Sequence, residues 1–332
     1  MKSRRRAVAN PVAILASRNG IALLMVLWAL TILSVVVFSF SLMARTETHS
    51  TASFKTAVTG RFLAEAGVER GIMEILYRNV NKDQKVAAAG MEVLRVDGTP
   101  YAGTIENSRY TFRITDESGK IPLNALTDTS GILLKNLLTN LGYQPEEADT
   151  VVDSVLDWRD QDELHRLNGA ESDYYMSLPN PYKAKNGKFD TLEELLLVKG
   201  VTPVMLYGDG KRKGIIDFLT VYSKTNAINV NASPKEVLAA IPGMSPEKVD
   251  YVLAQRAATG IQSTQDIAAL VGENFRVIGS YLSTTESNTF EVEGTGSKEG
   301  GEKGYTIRAI VVTEGGAKYG YVYYKSPAQA GQ

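Results

Sequence analysis

An uninterrupted apolar stretch near the N-terminus is the feature that most constrains this chain. From Ile21 to Ala44 there is no charged residue, no proline and no glycine. A helix of this length, with a rise of about 1.5 Å per residue, spans a hydrocarbon core of about 30 Å. The preceding residues are basic, with Lys2, Arg4–Arg6 and Arg18. Because cationic flanks stay in the cytoplasm, this pattern predicts a single-pass protein whose bulk lies outside the cytoplasm.

Three interpretations of this stretch remain open. It could be a permanent signal anchor. A conventional cleaved signal peptide is less favoured, because its apolar core usually has only about 7–15 residues. In the third interpretation, the basic leader ends in Gly20 directly against the apolar run. This junction resembles that of type IV prepilins, in which cleavage between Gly20 and Ile21 would leave the apolar helix as the new N-terminus.

Composition excludes several classes of function. The 332 residues allow two domains with an ample core. The formal net charge of −1 provides no general basic field for nucleic acid. The absence of cysteine excludes disulfides, thiolate metal sites and cysteine nucleophiles.

The helical pattern continues beyond Ala44, and no proline interrupts it before Asn79. It predicts one helix of about sixty residues, with a membrane half and an amphipathic half whose apolar stripe packs on a sheet. The predicted stripe consists of Phe54, Val58, Phe62, Ala66, Met73 and Leu76.

Strand patterns flank a helical middle region that runs from about 129 to 282. Segments that alternate apolar and polar residues, or that are rich in β-branched and aromatic residues, predict strands. We interpret Gly294-Thr-Gly296 as a hairpin turn between two of these strands. Since the strands lie at both ends of the chain, they predict one sheet interrupted by an inserted helical domain. The predicted strands are 91–96, 109–115, 290–293, 305–312 and 318–324.

Three places in the helical region share one local pattern, in which glycine is followed two positions later by a polar residue and then by proline. Glycine suits the left-handed end of a helix, the polar residue caps the next helix, and proline fits its first turn. These units resemble helix-hairpin-helix modules, which hold phosphate through backbone amides. The polar positions and the mixed charges around them favour a packing role, and DNA binding remains the alternative. The units are 141–145, 199–203 and 242–246.

Motifs for catalysis are missing from the sequence. There is no phosphate loop, no Gly-x-Ser-x-Gly elbow and no His-Glu-x-x-His motif. The two histidines, His49 and His165, are isolated from each other in the sequence. The sequence therefore predicts a protein that is not an enzyme.

One acidic cluster is a candidate calcium site, because closely spaced carboxylates suit a cation that accepts six to eight oxygens. Its predicted ligands are Asp157, Asp160, Asp162 and Glu163, with Asp153, Glu171 and Asp173 close by. The favoured alternative is that Arg159 and Arg166 pair with these carboxylates while Trp158 packs inward. A paired-carboxylate catalytic site is the least favoured interpretation.

Several further motifs stand at 18–28, 44–48, 63–70, 116–121 with 123–124, 157–160, 169–171 with 174–175, 189–195 and 228–231. Taken together, they resemble the K-type minor pseudopilins of the type II secretion pathway over nearly the whole chain. The resemblance implies an α+β pseudopilin fold: a long N-terminal helix packed on an antiparallel sheet, interrupted by an all-α inserted domain. It implies a leader (1–20), a transmembrane helix (21–44), a first pseudopilin part (45–128), the insertion (129–282) and a second pseudopilin part (283–332).

The same resemblance implies a role and partners. Prepilin peptidase would cleave after Gly20, and Ile21 would be N-methylated. The protein would sit in the bacterial inner membrane, with its bulk in the periplasm, at the tip of the pseudopilus. There it would contact the I-type and J-type minor pseudopilins, other pseudopilins, lipid and the inner-membrane assembly platform, and help start assembly and export. Calcium is associated with such pseudopilins, and no nucleic acid is expected. In most pseudopilins the fifth mature residue is glutamate. Here that position is Met25, and the K-type pseudopilins also lack the glutamate.

Overall fold

The computed structural model describes residues 18–81, 93–223, 225–297, 304–315 and 317–328, with the side chains of 18–20, 274 and 297 left aside. Most of the predicted leader and Met91–Glu92 of the first predicted strand lie outside these residues. The helices are α1 (Arg18–Asn81), α2 (Ile132–Asn140), α3 (Pro145–Arg159), α4 (Ser172–Met176), α5 (Pro203–Tyr207), α6 (Lys235–Ala240), α7 (Pro246–Ala258), α8 (Thr264–Val271) and α9 (Phe275–Ile278). The strands are β1 (Asp97–Ile105), β2 (Ser108–Asp116), β3 (Ile121–Pro122), β4 (Leu219–Thr220), β5 (Ile228–Asn229), β6 (Leu282–Ser283), β7 (Thr289–Ser297), β8 (Tyr305–Thr313) and β9 (Tyr319–Lys325).

The long N-terminal helix is confirmed: α1 is continuous over 64 residues. The chain divides into two compact units, 1–58 and 59–332. In the first unit every large apolar side chain from Ile21 to Met43 is exposed. By length and composition α1 could cross a membrane, since an 18-residue window of it has a mean hydropathy of 2.8 and is wholly unburied.

The second unit contains a five-stranded antiparallel sheet in the order β1-β2-β7-β8-β9. Strands from both ends of the chain meet where Asp116 of β2 pairs with Phe290 of β7, which confirms the interrupted sheet. The predicted strand over 91–96 is wrong for its described part, because the first strand begins at Asp97. Leu94 and Val96 instead pack into the apolar cluster beneath α1, so their alternation reflects burial and not a ladder.

The face of α1 that packs on the sheet differs from the predicted stripe. Ala64, Val68 and Ile72 are buried, whereas Phe62 and Met73 of the predicted stripe are 64% and 61% exposed. Large residues share this face, since Leu63 and Ile75 are also buried. The buried face is therefore a different side of the helix from the predicted stripe.

Gly294 and Gly296 meet that face from within β7, so their assignment to a hairpin turn is wrong. A Cβ at Gly294 would lie 2.2 Å from the carbonyl oxygen of Ala64. A Cβ at Gly296 would lie 2.2 Å from the carbonyl oxygen of Gly60. Both contacts are with backbone atoms that cannot turn aside. Glycine is therefore required at these two positions so that the strand can approach the helix.

A separate apolar cluster runs from Ile121 to Leu282 and contains the helical region. The predicted turns are confirmed at Gly142, Gly200 and Gly243, which have φ of +90°, +87° and +78°. Thr202 and Ser245 cap α5 and α7 by accepting hydrogen bonds from backbone N–H groups. The relationship of these units to helix-hairpin-helix modules, and the domain boundaries, stay predictions.

A buried ion network joins the helical region to the sheet. Lys120 Nζ lies 2.7 Å from Glu117 Oε1 and 2.8 Å from Glu291 Oε2 on β7. Arg308 of β8 bonds Asp217 at 2.8 Å. Burial alone would lower the pKa of Lys120, but the two carboxylates outweigh it and raise that pKa. The lysine therefore stays charged, and removing it would leave buried carboxylates without their partner.

Candidate functional site

The acidic cluster lies where α3 ends and the chain turns back. Asp157, on the last turn of α3, is fully buried, and Asp160 is the residue that ends the helix. The following loop returns to place Glu171 beside them. One carboxylate oxygen from each of Asp157, Asp160 and Glu171 lies within 4.8 Å of the others. Three converging carboxylates are the donor set that a hard cation such as calcium prefers.

Arg166 projects from the loop into this cluster. Its Nη1 donates to Asp157 Oδ1 and to Asp160 Oδ2, each at 2.6 Å. Its Nε donates to Asp128 Oδ1 at 2.8 Å. One guanidinium thus serves three carboxylates, which fixes the loop against the end of α3.

Glu171 has no such partner. Glu171 is only 1% exposed, and neither of its carboxylate oxygens accepts a hydrogen bond from any residue in the described part of the chain. Burial, followed by the nearby carboxylates of Asp157 and Asp160, raises the pKa of Glu171 to about 8. Burial also raises the pKa of Asp157, against the opposing effect of Arg166. A buried carboxylate of this kind calls for a proton or a cation.

Two of the predicted ligands lie apart from this convergence. Asp162 Oδ1 accepts a hydrogen bond from the backbone N–H of Leu164 at 2.9 Å. Glu163 accepts from Ser172 Oγ and Asn186 Nδ2, both at 3.0 Å. Both carboxylates shape the loop. The structure therefore brings Asp157 and Asp160 together with Glu171, and does not bring Asp162 and Glu163 to the same point.

Gly169 is the sequence signal that could have identified Glu171 as a member of the site. A Cβ at this position would lie 1.8 Å from Asp157 Oδ2 and 3.3 Å from the carbonyl oxygen of Asp153. The loop passes directly over the Asp157 carboxylate because residue 169 has no side chain. Two residues later the chain places Glu171 against the same carboxylate.

The structural interpretation of the cluster is confirmed for Arg166 and wrong for Arg159. Arg159 turns away from the carboxylates and donates to the backbone carbonyl oxygens of Leu123, at 2.9 Å, and Leu126. Trp158 packs inward as predicted, 2% exposed, with its indole N–H donating to Glu194 at 2.8 Å. The site therefore contains one arginine and not two.

Most cations near the predicted helix-turn-helix units are already engaged. Lys235 bonds Asp250 at 2.7 Å, and Lys213 bonds Glu236 at 2.8 Å. Lys199 Nζ donates to the carbonyl oxygen of Gly169 at 2.9 Å. Lys248 forms no ion pair in the described ranges, but it follows Glu247 directly in the sequence, and phosphate binding depends on a net positive neighbourhood. The arrangement favours packing over nucleic-acid binding.

The predicted cleavage junction lies at the start of α1. The helix begins at Arg18, so Gly20 and Ile21 fall in its first turn, and the Ile21 side chain is 62% exposed. Cleavage and methylation there stay predictions.

Comparison with known proteins places these features in one family. The family described as type II secretion system (T2SS), protein K, matches residues 119–207 and, through a second family description of the same protein, residues 228–281. Both matches fall in the region that contains the helical cluster and the acidic site.

Individual relatives agree with this assignment. The type II secretion system protein K of Pseudomonas aeruginosa is 25% identical over 263 residues, covering 75% of each chain. That of Klebsiella pneumoniae is 27% identical over 266 residues, covering 74% of this chain and 77% of its own. The fold resembles a chain in the crystal structure of the GspK-GspI-GspJ complex of enterotoxigenic Escherichia coli, with a TM-score of 0.62, 15% identity, and coverage of 85% of this chain and 100% of that one. Over these regions the chain is similar to protein K of the type II secretion system.

Proposed function

We propose that this protein is the minor pseudopilin at the tip of the type II secretion pseudopilus, where it helps start assembly and supports export of folded proteins across the outer membrane. The observation that carries the proposal is a helix with a wholly exposed apolar half, in a chain similar to protein K of the type II secretion system. Such a surface is unstable in water and needs lipid or neighbouring helices to cover it. The role is one of assembly and not of catalysis.

The proposed partners are the I-type and J-type minor pseudopilins. The structurally similar Escherichia coli chain was solved in a GspK-GspI-GspJ complex, which supports this choice. Other pseudopilins, lipid and the inner-membrane assembly platform would meet the apolar half of α1. Met25, which is 66% exposed, supports a terminal position. An apolar residue there offers no carboxylate to the N-terminal amine of a further subunit, and a carboxylate in lipid would need such a partner.

We further propose the inner membrane as its location, with the bulk in the periplasm after processing by prepilin peptidase. The basic leader supports this orientation. Intact mass of the full chain, isolated from cells with and without the peptidase, tests the proposal. We expect a protein that starts at Ile21, heavier by one methyl group, only where the peptidase is present.

A chain that begins at Met1 in both strains would contradict processing and leave a plain signal anchor. A chain cut at Ile21 in both strains would show that another protease acts. As a second measurement, we expect the I-type and J-type subunits to co-purify with the full chain. Their absence from it under mild detergent would overturn the tip assignment even if processing is correct.

Calcium is the cation that we propose for the acidic site, held by Asp157, Asp160 and Glu171. The buried and unpartnered oxygens of Glu171 support this fit. Calcium would supply the positive charge that these carboxylates lack and would tie the loop to α3.

Glu171→Gln is expected to weaken calcium binding by about tenfold or more, because it removes one charged ligand from the site. Calorimetric titration of the full chain in detergent measures the effect. Asp162→Asn is the matched control, since it removes the same charge from a residue that only shapes the loop, and we expect its affinity to remain within about threefold of the original. A larger loss with Asp162→Asn than with Glu171→Gln would contradict the assigned ligands and restore the set predicted from sequence.

A further inference from the structure

Arg166 occupies the position at which a cation would have to meet Asp157 and Asp160. Its Nη1 is 2.6 Å from an oxygen of each. Its backbone N–H also donates to Asp157 Oδ2 at 3.2 Å. The arginine therefore holds both carboxylates in the form of the protein that the structure describes.

The charges of this neighbourhood do not balance. Asp128, Asp157, Asp160 and Glu171 bring four carboxylates to the surroundings of one guanidinium. Arg159 donates to backbone carbonyl oxygens and forms no ion pair with these carboxylates among the described residues, so its charge acts on Asp128 and Asp160 only from a distance. Asp128 is well hydrated, with a side chain 79% exposed, whereas Asp157 and Glu171 are buried. The group that still needs a proton or a cation is therefore Glu171, inside the site.

We propose that Arg166 is the built-in counter-ion of this site, and that a divalent cation displaces its Nη1 from Asp157 and Asp160. This inference rests on the proposed calcium site. A divalent cation carries twice the charge of the guanidinium and can also serve Glu171, which Arg166 does not reach. The site then alternates between an arginine-bridged form and a cation-bound form.

The structure provides a place for the displaced side chain. Arg166 Nε already donates to Asp128 Oδ1 at 2.8 Å, and that carboxylate lies at the exposed edge of the site. By keeping this bond, the guanidinium would remain paired after its Nη1 leaves the buried carboxylates. Displacement then exchanges buried contacts for an exposed one and leaves no unpaired charge inside.

Competition by Arg166 should lower the affinity for calcium, and this is testable on the full chain in detergent. Arg166→Gln is expected to raise calcium affinity by about tenfold or more, the equivalent of one charge-assisted hydrogen bond that no longer has to be broken. Lys183→Gln is the matched control, because Lys183 is exposed and, among the described residues, bonds to none of these carboxylates. We expect the control to change the affinity by less than about threefold.

Equal or weaker binding by Arg166→Gln, with its circular dichroism spectrum unchanged, would overturn the proposal and make the arginine a supporting group. Absence of calcium binding in both the original chain and Arg166→Gln would overturn the calcium site as well. The tip assignment would stand in either case, because it is tested separately, through co-purification of the I-type and J-type subunits.

Asp128→Asn keeps the proposal falsifiable if Arg166→Gln fails to fold, since the exposed Asp128 can be changed without disturbing the core. Losing the acceptor of the displaced guanidinium is expected to weaken calcium binding by about threefold or more. Asp162→Asn, which removes a nearby negative charge without touching Arg166, controls for simple electrostatics. Equal effects of the two substitutions would count against displacement.

Discussion

Replacing Gly294 with valine is expected to prevent the sheet from packing against α1 and to lower the free energy of unfolding by about 3 kcal/mol or more. The new Cβ would lie 2.2 Å from the carbonyl oxygen of Ala64 and 2.8 Å from the backbone nitrogen of Val68. Both are main-chain atoms of a helix, so the strand itself would have to move away. Denaturant unfolding of the full chain in detergent, followed by circular dichroism, measures the loss.

Gly320→Val on β9 is the matched control for this substitution. Gly320 also lies in a strand of the same sheet, but a Cβ there would meet no atom within 4 Å. We expect Gly320→Val to change the free energy of unfolding by less than about 0.5 kcal/mol, because a strand position with open space around it accepts a β-branched residue. If both substitutions lowered the free energy of unfolding equally, the cause would be the loss of glycine from a strand and not the contact between Gly294 and α1.

Lys120→Met is expected to destabilise the protein by about 3–5 kcal/mol, because it removes the cation between two carboxylates and leaves them buried. Glu117 lies 2.7 Å away on the same segment, and Glu291 lies 2.8 Å away on β7. Thermal and denaturant unfolding of the full chain provide the measurement. Adding Glu117→Gln to Lys120→Met should restore part of the loss, since Glu117 is then neutral while Glu291 keeps Arg308 at 3.6 Å.

Lys235→Met serves as the control for losing a lysine salt bridge. Lys235 pairs with Asp250 at 2.7 Å, but both side chains are more than half exposed, so water replaces the lost partner. An effect below about 1 kcal/mol is expected for such a pair. If the buried and exposed lysines proved equally dispensable, the network would not be what fastens the helical region to the sheet.

Local sequence chemistry was sufficient to predict much of the fold. The turns at Gly142, Gly200 and Gly243 and the caps at Thr202 and Ser245 depend only on neighbouring residues, and these were confirmed. The interrupted sheet followed from alternation at both ends of the chain. In contrast, the buried face of α1 could not be identified from apolar spacing, because Phe62 is as compatible with a lipid or partner surface as with a core.

The close contacts of α1 and of the site depend on residues far apart in sequence, which explains the remaining errors. Gly294 resembles a turn glycine until the strand is seen against Ala64. Asp157 and Asp160 were predicted correctly to belong together because one helical turn separates them. Glu171 joins them only through the loop that Gly169 permits, and this glycine two residues earlier is the one signal of that return in the sequence. Asp162 and Glu163 are nearer to Asp160 in the sequence than Glu171 is, but their carboxylates accept hydrogen bonds from other residues of the loop.

The pairing of β2 with β7 has a kinetic consequence. Asp116 and Ser287, whose side chains hydrogen-bond at the point where the two strands meet, are 171 positions apart. Contacts between such distant residues make a sheet slow to form, since the loop entropy must be lost before pairing rewards it. In a chain synthesised from its N-terminus, the helical region can fold before β7, β8 and β9 have been made. We therefore expect the five-stranded sheet to be completed last, although the helix that packs on it is the first to be made.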